Sequence, residues 1–349
     1  MKYHPISETD LNLSSLGTGC WSFGGGDYWG AQDQKDVNDV VHASFSFGIN
    51  YFDTAEVYNE GRSEISLGEA IKGLPRDRLV IGSKISPSNV YAGKLEKHCE
   101  ASLKRLQTDY LDIYMIHWPI HPHSIRHFTK DEQIINNPPS IAEAFDSLLK
   151  LQNAGKIRYI GLSNYSYKRL AGDIPADVRI AVNQIPYNLL CRAVEYDTLP
   201  YCIEKGIGTI GYMTLLQGIL TGKYASLGDV PDWQRRTRHF DCKGTPLCRH
   251  GESGFEKETA GALSAIKAVS EKYGIQMSVL ALNWVIASGI TCALAGARNA
   301  RQLEENVRSV ETHIDSQIFE ELNKATDELK EKMGNHFDYY ESKENDRTI

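Results

Sequence analysis

The sequence has no basic excess: 38 Lys and Arg stand against 45 Asp and Glu, a formal net charge of -7 over 349 residues. A protein that binds nucleic acid without regard to sequence needs a cationic footprint to displace counterions, so that class is excluded. Long hydrophobic runs are also missing. No stretch approaches the roughly 18 apolar residues of a membrane span, and MKYHPISETDLNLSSLG has no apolar segment of signal-peptide length. A cytosolic protein with no membrane partner is therefore expected. Cysteine is sparse. Cys20, Cys99, Cys191, Cys202, Cys242, Cys248 and Cys292 are odd in number and scattered, which is no disulfide framework, so reduced thiols are expected. Phosphate-binding glycine loops are absent too. GILTGKY is one residue short between its glycines and lacks Ser or Thr after the lysine. GTGCWSFGGG lacks the G-x-G-x-x-G register before a helix, so neither a P-loop nor a Rossmann site is supported.

What is present is an alternation of short, nearly continuous apolar runs with segments of helical period. Strands are expected at 16–20, 49–53, 79–85, 111–117, 157–163, 180–185, 207–213 and 290–296. Continuous rather than alternating apolar character marks parallel strands covered on both faces. Helices are expected at 34–47, 63–71, 92–106, 141–153, 258–273, 278–287 and 300–307, several with a Ser cap or a terminal Gly. Eight β-α units in about 300 residues predict a (β/α)8 TIM barrel, an α/β fold. One domain is expected over residues 1–340, opened by an amino-terminal β-hairpin and followed by a frayed polar tail at 341–349. Segments 118–140 and 225–258 exceed ordinary connections and fall at the carboxyl-terminal mouth, where long loops set specificity.

Three of these strands end on polar residues: Asp53 and Tyr58 in NYFDTAEVY, Lys84 in LVIGSKI, and His117 in YLDIYMIHWP. In a barrel all strand ends face one mouth, so these groups converge. A phenol has a pKa of about 10. Lys84 would lower that of Tyr58 by favouring the phenolate, Asp53 would hold the ammonium in place, and His117 would orient a carbonyl or share the proton path. The set suits protonation of a carbonyl oxygen.

The segments INYFDTAEVYNEGRSE, SLKRLQTDYLDIYMIH, AGKIRYIGLSNY, IGYMTLLQGILTGKY and GARNARQLEENV resemble, in order across nearly the whole chain, the aldo-keto reductase superfamily. The likeness is greatest to the bacterial-type branch that includes inositol-utilisation and general-stress reductases and potassium-channel β subunits. The resemblance implies a catalytic tetrad of Asp53, Tyr58, Lys84 and His117 and reversible NADPH-dependent reduction of an aldehyde or ketone, with Tyr58 as acid in reduction and base in oxidation. It further implies that Ser163, Asn164 and Gln184 bond the nicotinamide carboxamide and that Tyr212 stacks on the ring. Leu215, Gly218 and Lys223 would follow the pyrophosphate. Gly296 ends the last strand before a helix start suited to an anion. Arg298 would grip the 2′-phosphate, favouring NADP over NAD, and Gln302, Glu305 and Asn306 would contact adenosine.

Other constellations stay open. In PDWQRRTRHFDCKGTPLCRHGE, Arg236 and Arg238 are the foremost candidates for a clamp on the cofactor pyrophosphate or on an anionic or polyhydroxylated substrate; the alternative is a solvated basic loop. His239, Cys242, Cys248 and His250 do not match a zinc-binding spacing, and His117, His121 and His123 do not form a convincing metal set, so no metal is expected. Trp21, Tyr28, Trp29 and Trp118 lie on loops after the first and fourth strands and would wall a pocket for a small carbonyl or alcohol, with a sugar- or polyol-derived substrate in view. A metal-dependent barrel hydrolase and a cofactor-sensing binding protein are the rival readings.

Overall fold

The hairpin of β1 (Tyr3–Pro5) and β2 (Asn12–Ser14) precedes eight parallel strands that close on themselves. These are β3 (Leu16–Gly19), β4 (Tyr51–Asp53), β5 (Val80–Ile85), β6 (Leu111–Ile116), β7 (Ile157–Ser163), β8 (Ile180–Pro186), β9 (Gly208–Tyr212) and β10 (Cys292–Gly296), with β10 paired to β3. The computed structural model describes every residue, 1–349. The outer layer consists of α1 (Gln34–Ser46), α2 (Arg62–Ala70), α3 (Lys94–Leu106), the short α4 (Pro122–Ile125) and α5 (Glu132–Asn136), α6 (Ile141–Asn153), α7 (Tyr167–Gly172), α8 (Thr198–Glu204), α9 (Glu256–Tyr273), α10 (Met277–Ala287), α11 (Ala300–Glu311) and α12 (Ser316–Met333). No helix is long and apolar enough to cross a membrane.

The eight strands match those read from the sequence to within a few residues, while the short α4, α5, α7 and α8 were not read, nor was the long α12. Its signal was there: Asp315 caps the Ile318 amide, and Ile318, Leu322, Thr326, Leu329 and Met333 bury one face.

Two cores fill the molecule. The larger lies between strands and helices. The smaller fills the barrel interior, where Ile6, Leu11 and Leu13 of the hairpin region meet Tyr51, Val80, Ile113, Met115, Val182 and Ile210. The hairpin thus plugs the end opposite the catalytic mouth. Tyr51 lies across the interior because Gly82 leaves room: a Cβ there would come within 2.5 Å of the Tyr51 hydroxyl.

The plug is also fastened electrostatically. Asp112, fully buried on β6, accepts from Arg158 at 2.6 Å, from the Ile81 amide at 2.9 Å, and pairs with Arg76 at 2.8 Å. Arg158 reaches on to Asp10 between the hairpin strands. Removing the carboxylate would leave two half-buried guanidiniums and an amide without their acceptor. Asp112→Ala is expected to cost about 2–4 kcal/mol, read as a lower urea midpoint with the m-value unchanged.

Candidate active site

The carboxyl end of β4 delivers Asp53 and that of β5 delivers Lys84. Lys84 has no exposed surface, and its Nζ donates to Asp53 Oδ2 at 2.7 Å, to the Thr54 carbonyl at 2.8 Å and to Tyr58 Oη at 3.3 Å. Tyr58 opens a tight turn in which Asn59 and Glu60 take left-handed φ of 50° and 60°. The Asn59 amide anchors that turn by donating to the carbonyls of Trp21 and Phe23 at 2.7 and 2.8 Å. His117, one residue beyond β6, sets its ring edge-on to Tyr58 with centroids 5.6 Å apart. Its Nδ1 is buried without a hydrogen-bond partner. The four groups expected from the sequence are brought together.

Their electrostatics differ from expectation at one point. The Tyr58 phenol lies well above its ordinary value, not below it, because burial disfavours the phenolate and the Asp53 charge adds to that. Lys84 does not reverse the sign, since Asp53 stands closer to its ammonium than the phenol does. The Lys84 ammonium is itself pushed down by burial, against the pull of Asp53. His117 is held well below the usual imidazole range by burial, then by the charges of Lys84 and Arg347. A neutral phenol beside a neutral imidazole and a carboxylate-held ammonium can donate a proton to an oxyanion and recover one.

Polar groups on β7, β8 and β9 continue from this centre. Gln184 Nε2 donates to Asp53 Oδ1 at 2.7 Å, a link not foreseen from the sequence. Asn164 donates to the His117 carbonyl at 3.1 Å and to Ser163 Oγ at 3.0 Å, while Tyr212 donates to Asn164 Oδ1 at 2.7 Å. All line a cavity of about 1260 Å³ that runs from Asp53, Tyr58 and His117 to α11. Leu215, Gly218, Lys223, Gly296, Arg298, Gln302, Glu305 and Asn306 line its far part. Gly218 has φ +92°, and a Cβ there would lie 2.8 Å from Lys223 Nζ, so the lysine passes directly over the glycine. At α11, Asn299 caps the Gln302 amide and Gln302 accepts from the Arg298 amide at 2.9 Å. The Arg298 guanidinium donates to Gln32 and to the Ala31 carbonyl, which ties the helix start to the loop after β3. A long, partly cationic trough ending at free helical amides fits a dinucleotide, and these are the residues that could hold one.

The two arginines of the long loop part company. Arg236 lines the cavity, over the rings of Tyr28 at 5.0 Å and Tyr340 at 5.8 Å. Arg238 does not reach it. It is buried, donates to Glu252 at 2.9 Å and to the His336 carbonyl at 3.3 Å, and so is a strut of the loop rather than a clamp.

Cysteine also departs from expectation: Cys242 and Cys248 form a disulfide within this loop. Their sulfurs lie within 4.8 Å of a His250 ring nitrogen, but joined in a disulfide they offer no thiolate to a metal. His239 turns away to the Leu190 carbonyl and Thr237. His121 and His123 pack on each other, with His121 capping α4.

The aromatic wall is as placed: Trp21 stacks on Tyr28 at 4.9 Å, Trp29 meets both edge-on, and Trp118 lines the cavity. Sequence reading missed Gln217, Trp233, Tyr340 and Arg347, which also line it, together with Arg249 of the long basic loop. Gln217 accepts from Tyr28 at 2.7 Å and donates to Tyr340 at 3.2 Å, closing a bridge across the mouth. The expected frayed tail is instead folded. Glu341, Asp346, Arg347 and Thr348 are buried, and Arg347 pairs with buried Asp338. The polar side chains that signalled solvation satisfy one another.

Residues 15–327 match the family model described as the aldo/keto reductase family, and the chain belongs to that family. It is 32% identical over 318 residues to the aldo-keto reductase YhdN of Bacillus subtilis (strain 168), covering 87% of each chain. It is 30% identical over 352 residues to the NADH-specific methylglyoxal reductase of Escherichia coli (strain K12), covering 93% of this chain and 99% of the relative. Among solved structures, the glycerol dehydrogenase of Gluconobacter oxydans superposes with a TM-score of 0.73 at 27% identity, over 94% of each chain. An aldo/keto reductase of Klebsiella pneumoniae in complex with NADP and acetate gives 0.66 at 26%, over 90% of this chain and 92% of that one.

Several imidazoles share the fate of His117. His239 is pushed down to about 4 by burial, and His250 and His336 are lowered by the same cause. In the unfolded chain these groups take up protons below about pH 6.5, whereas in the folded chain they resist. Stability should therefore fall as pH drops from about 6.5 towards 4, with the unfolded state binding the extra protons. Urea midpoints measured across that range test this; a flat profile would contradict the buried neutral imidazoles.

Proposed function

We propose that the chain is an NADP(H)-dependent oxidoreductase that reversibly reduces an aldehyde or ketone to an alcohol, with Tyr58 as general acid and base. The observation that carries this reading is the half-buried, neutral Tyr58 phenol, 3.3 Å from the Lys84 ammonium and lining a cavity of about 1260 Å³ that reaches α11. In this role Tyr58 donates its proton to the carbonyl oxygen as negative charge develops there. Lys84, held by Asp53, stabilises the phenolate left behind, and His117 donates a hydrogen bond to the same oxygen. A reduced nicotinamide supplies the hydride. Ser163, Asn164 and Gln184 would orient its carboxamide and Tyr212 its ring; Leu215, Gly218, Lys223 and Arg236 would follow the pyrophosphate. Arg298 would meet the 2′-phosphate, with Gln302, Glu305 and Asn306 on the adenosine.

NADP is preferred over NAD because Arg298 presents a fixed guanidinium at the helix start, and the Klebsiella pneumoniae structure holds NADP. The Escherichia coli relative is NADH-specific, so the ratio of NADPH to NADH affinity is the measurement that tests the preference. The aromatic wall of Trp21, Tyr28, Trp29 and Trp118 favours a small aldehyde or a sugar- or polyol-derived carbonyl. A cytosolic setting accords with the composition.

Tyr58→Phe should keep NADPH binding, read by fluorescence titration, while kcat falls about 100- to 10,000-fold. Near-normal turnover would remove Tyr58 from the mechanism. Arg298→Ala should raise the Kd of NADPH about 10- to 100-fold and leave that of NADH little changed; equal losses would refute the contact with the 2′-phosphate.

A further inference from the structure

One guanidinium in the cavity has no part in the chemistry above. Arg347 is only 4% exposed, yet it lines the cavity. Two of its nitrogens are committed to Asp338: Nε donates to Oδ2 at 2.7 Å and Nη2 to Oδ1 at 2.6 Å. The guanidinium lies over the Trp118 indole, 3.9 Å from the ring centroid. A fork on one side and a stack on another fix its orientation. Nη1 is left without an acceptor in the protein.

Its position picks out one side of the cavity. Trp118 directly follows His117, and the Arg347 charge is among the causes that depress the His117 imidazole. The free donor therefore belongs to the side of the proton-transfer centre, away from Arg298 and Gln302 on the β10 side. The surrounding wall is cationic. Arg236, Arg249 and Arg347 all lie within 6.0 Å of the Tyr340 ring centroid. Arg249 pairs with Glu341 and Arg347 with Asp338, while Arg236 has no carboxylate partner. A pre-oriented donor in such a wall, open to the cavity, is placed to meet an acceptor oxygen.

Resting on the carbonyl chemistry proposed above, we infer that Arg347 is a substrate-binding residue that selects carbonyl compounds bearing a second acceptor oxygen close to the reacting carbonyl. Asp338 is its positioning residue. The acceptor is a hydroxyl, oxo or carboxylate oxygen, and a plain alkyl aldehyde leaves Nη1 unpaired.

The test is NADPH-dependent reduction, by the full chain, of propanal, glyceraldehyde, methylglyoxal and succinic semialdehyde, which carry no second acceptor, a hydroxyl, an oxo and a carboxylate group. The wild type should favour the last three. In Arg347→Met the ratio of their kcat/KM to that of propanal should fall about 10- to 100-fold, mainly through KM. Arg347→Lys, which keeps the charge but not the fork, should lose less. Asp338→Asn should shift the same ratio in the same direction. A larger loss for succinic semialdehyde than for glyceraldehyde assigns the site to anions; equal losses assign it to oxygen acceptors in general. Thermal melting and NADPH titration report whether each variant is folded, and if Arg347→Met is not, Arg347→Lys carries the comparison. An unchanged ratio in the folded variants, or a fall in kcat shared equally by all four aldehydes, would overturn the inference. A wild-type chain that binds NADPH but reduces none of the four would instead overturn the carbonyl-reductase reading on which the inference rests.

Discussion

The buried pair of Lys84 and Asp53 is the interaction around which the centre of the barrel is arranged. Taking an ammonium fully out of water costs several kcal/mol, and that cost is offset only where geometry and further hydrogen bonds are good. Here both conditions are met: Asp53 and the Thr54 carbonyl accept from Nζ, and the second carboxylate oxygen receives Gln184 and the Tyr51 hydroxyl. Each added bond constrains another strand. Gln184 brings in β8, and Tyr51 lies across the interior only because β5 carries Gly82 beside it. The pair that tunes the proton donor is therefore also the one that ties β4, β5 and β8 together at the mouth. Loss of Asp53 would strand the ammonium and disturb packing and chemistry together.

The mouth is built by long connections held to each other rather than to the barrel alone. Tyr28 from the loop after β3 meets Gln217, Trp233 and Arg236 from the loop after β9. Tyr340 and Arg347 arrive from beyond α12 to join Gln217 and Trp118. Segments remote in sequence thus share one aromatic and guanidinium surface. Few of these contacts involve strand residues, so the chamber can vary while the barrel stays the same.

This division explains what was legible in the sequence. Asp53, Lys84 and His117 were readable because each closes an apolar strand and a barrel aims all strand ends one way. Gln302 and Asn306 came from the family resemblance; their spacing on α11 added only that they share one face. Arg347 was not readable, because a polar stretch reads as solvated, and only the three-dimensional pairing with Asp338 shows otherwise. Arg238 was misread for the complementary reason: in a basic loop, nothing local tells the arginine that faces the cavity from the one that braces Glu252. The sign of the Tyr58 shift was missed because proximity to Lys84 was weighed without the depth of burial. Cys242 and Cys248 looked scattered because five other cysteines, all buried singly, surround them in the count.

The tryptophans have a distribution with an optical consequence. Of the five in the chain, Trp21, Trp29, Trp118 and Trp233 line the cavity, and Trp284 alone is buried elsewhere, against Tyr187 and Phe319. Four of the five indoles therefore sit at the mouth, where a bound ring or a displaced water changes their surroundings. Trp284 supplies a shielded background from the helical layer. The molecule thus carries its own optical reporter of chamber occupancy, with no label attached.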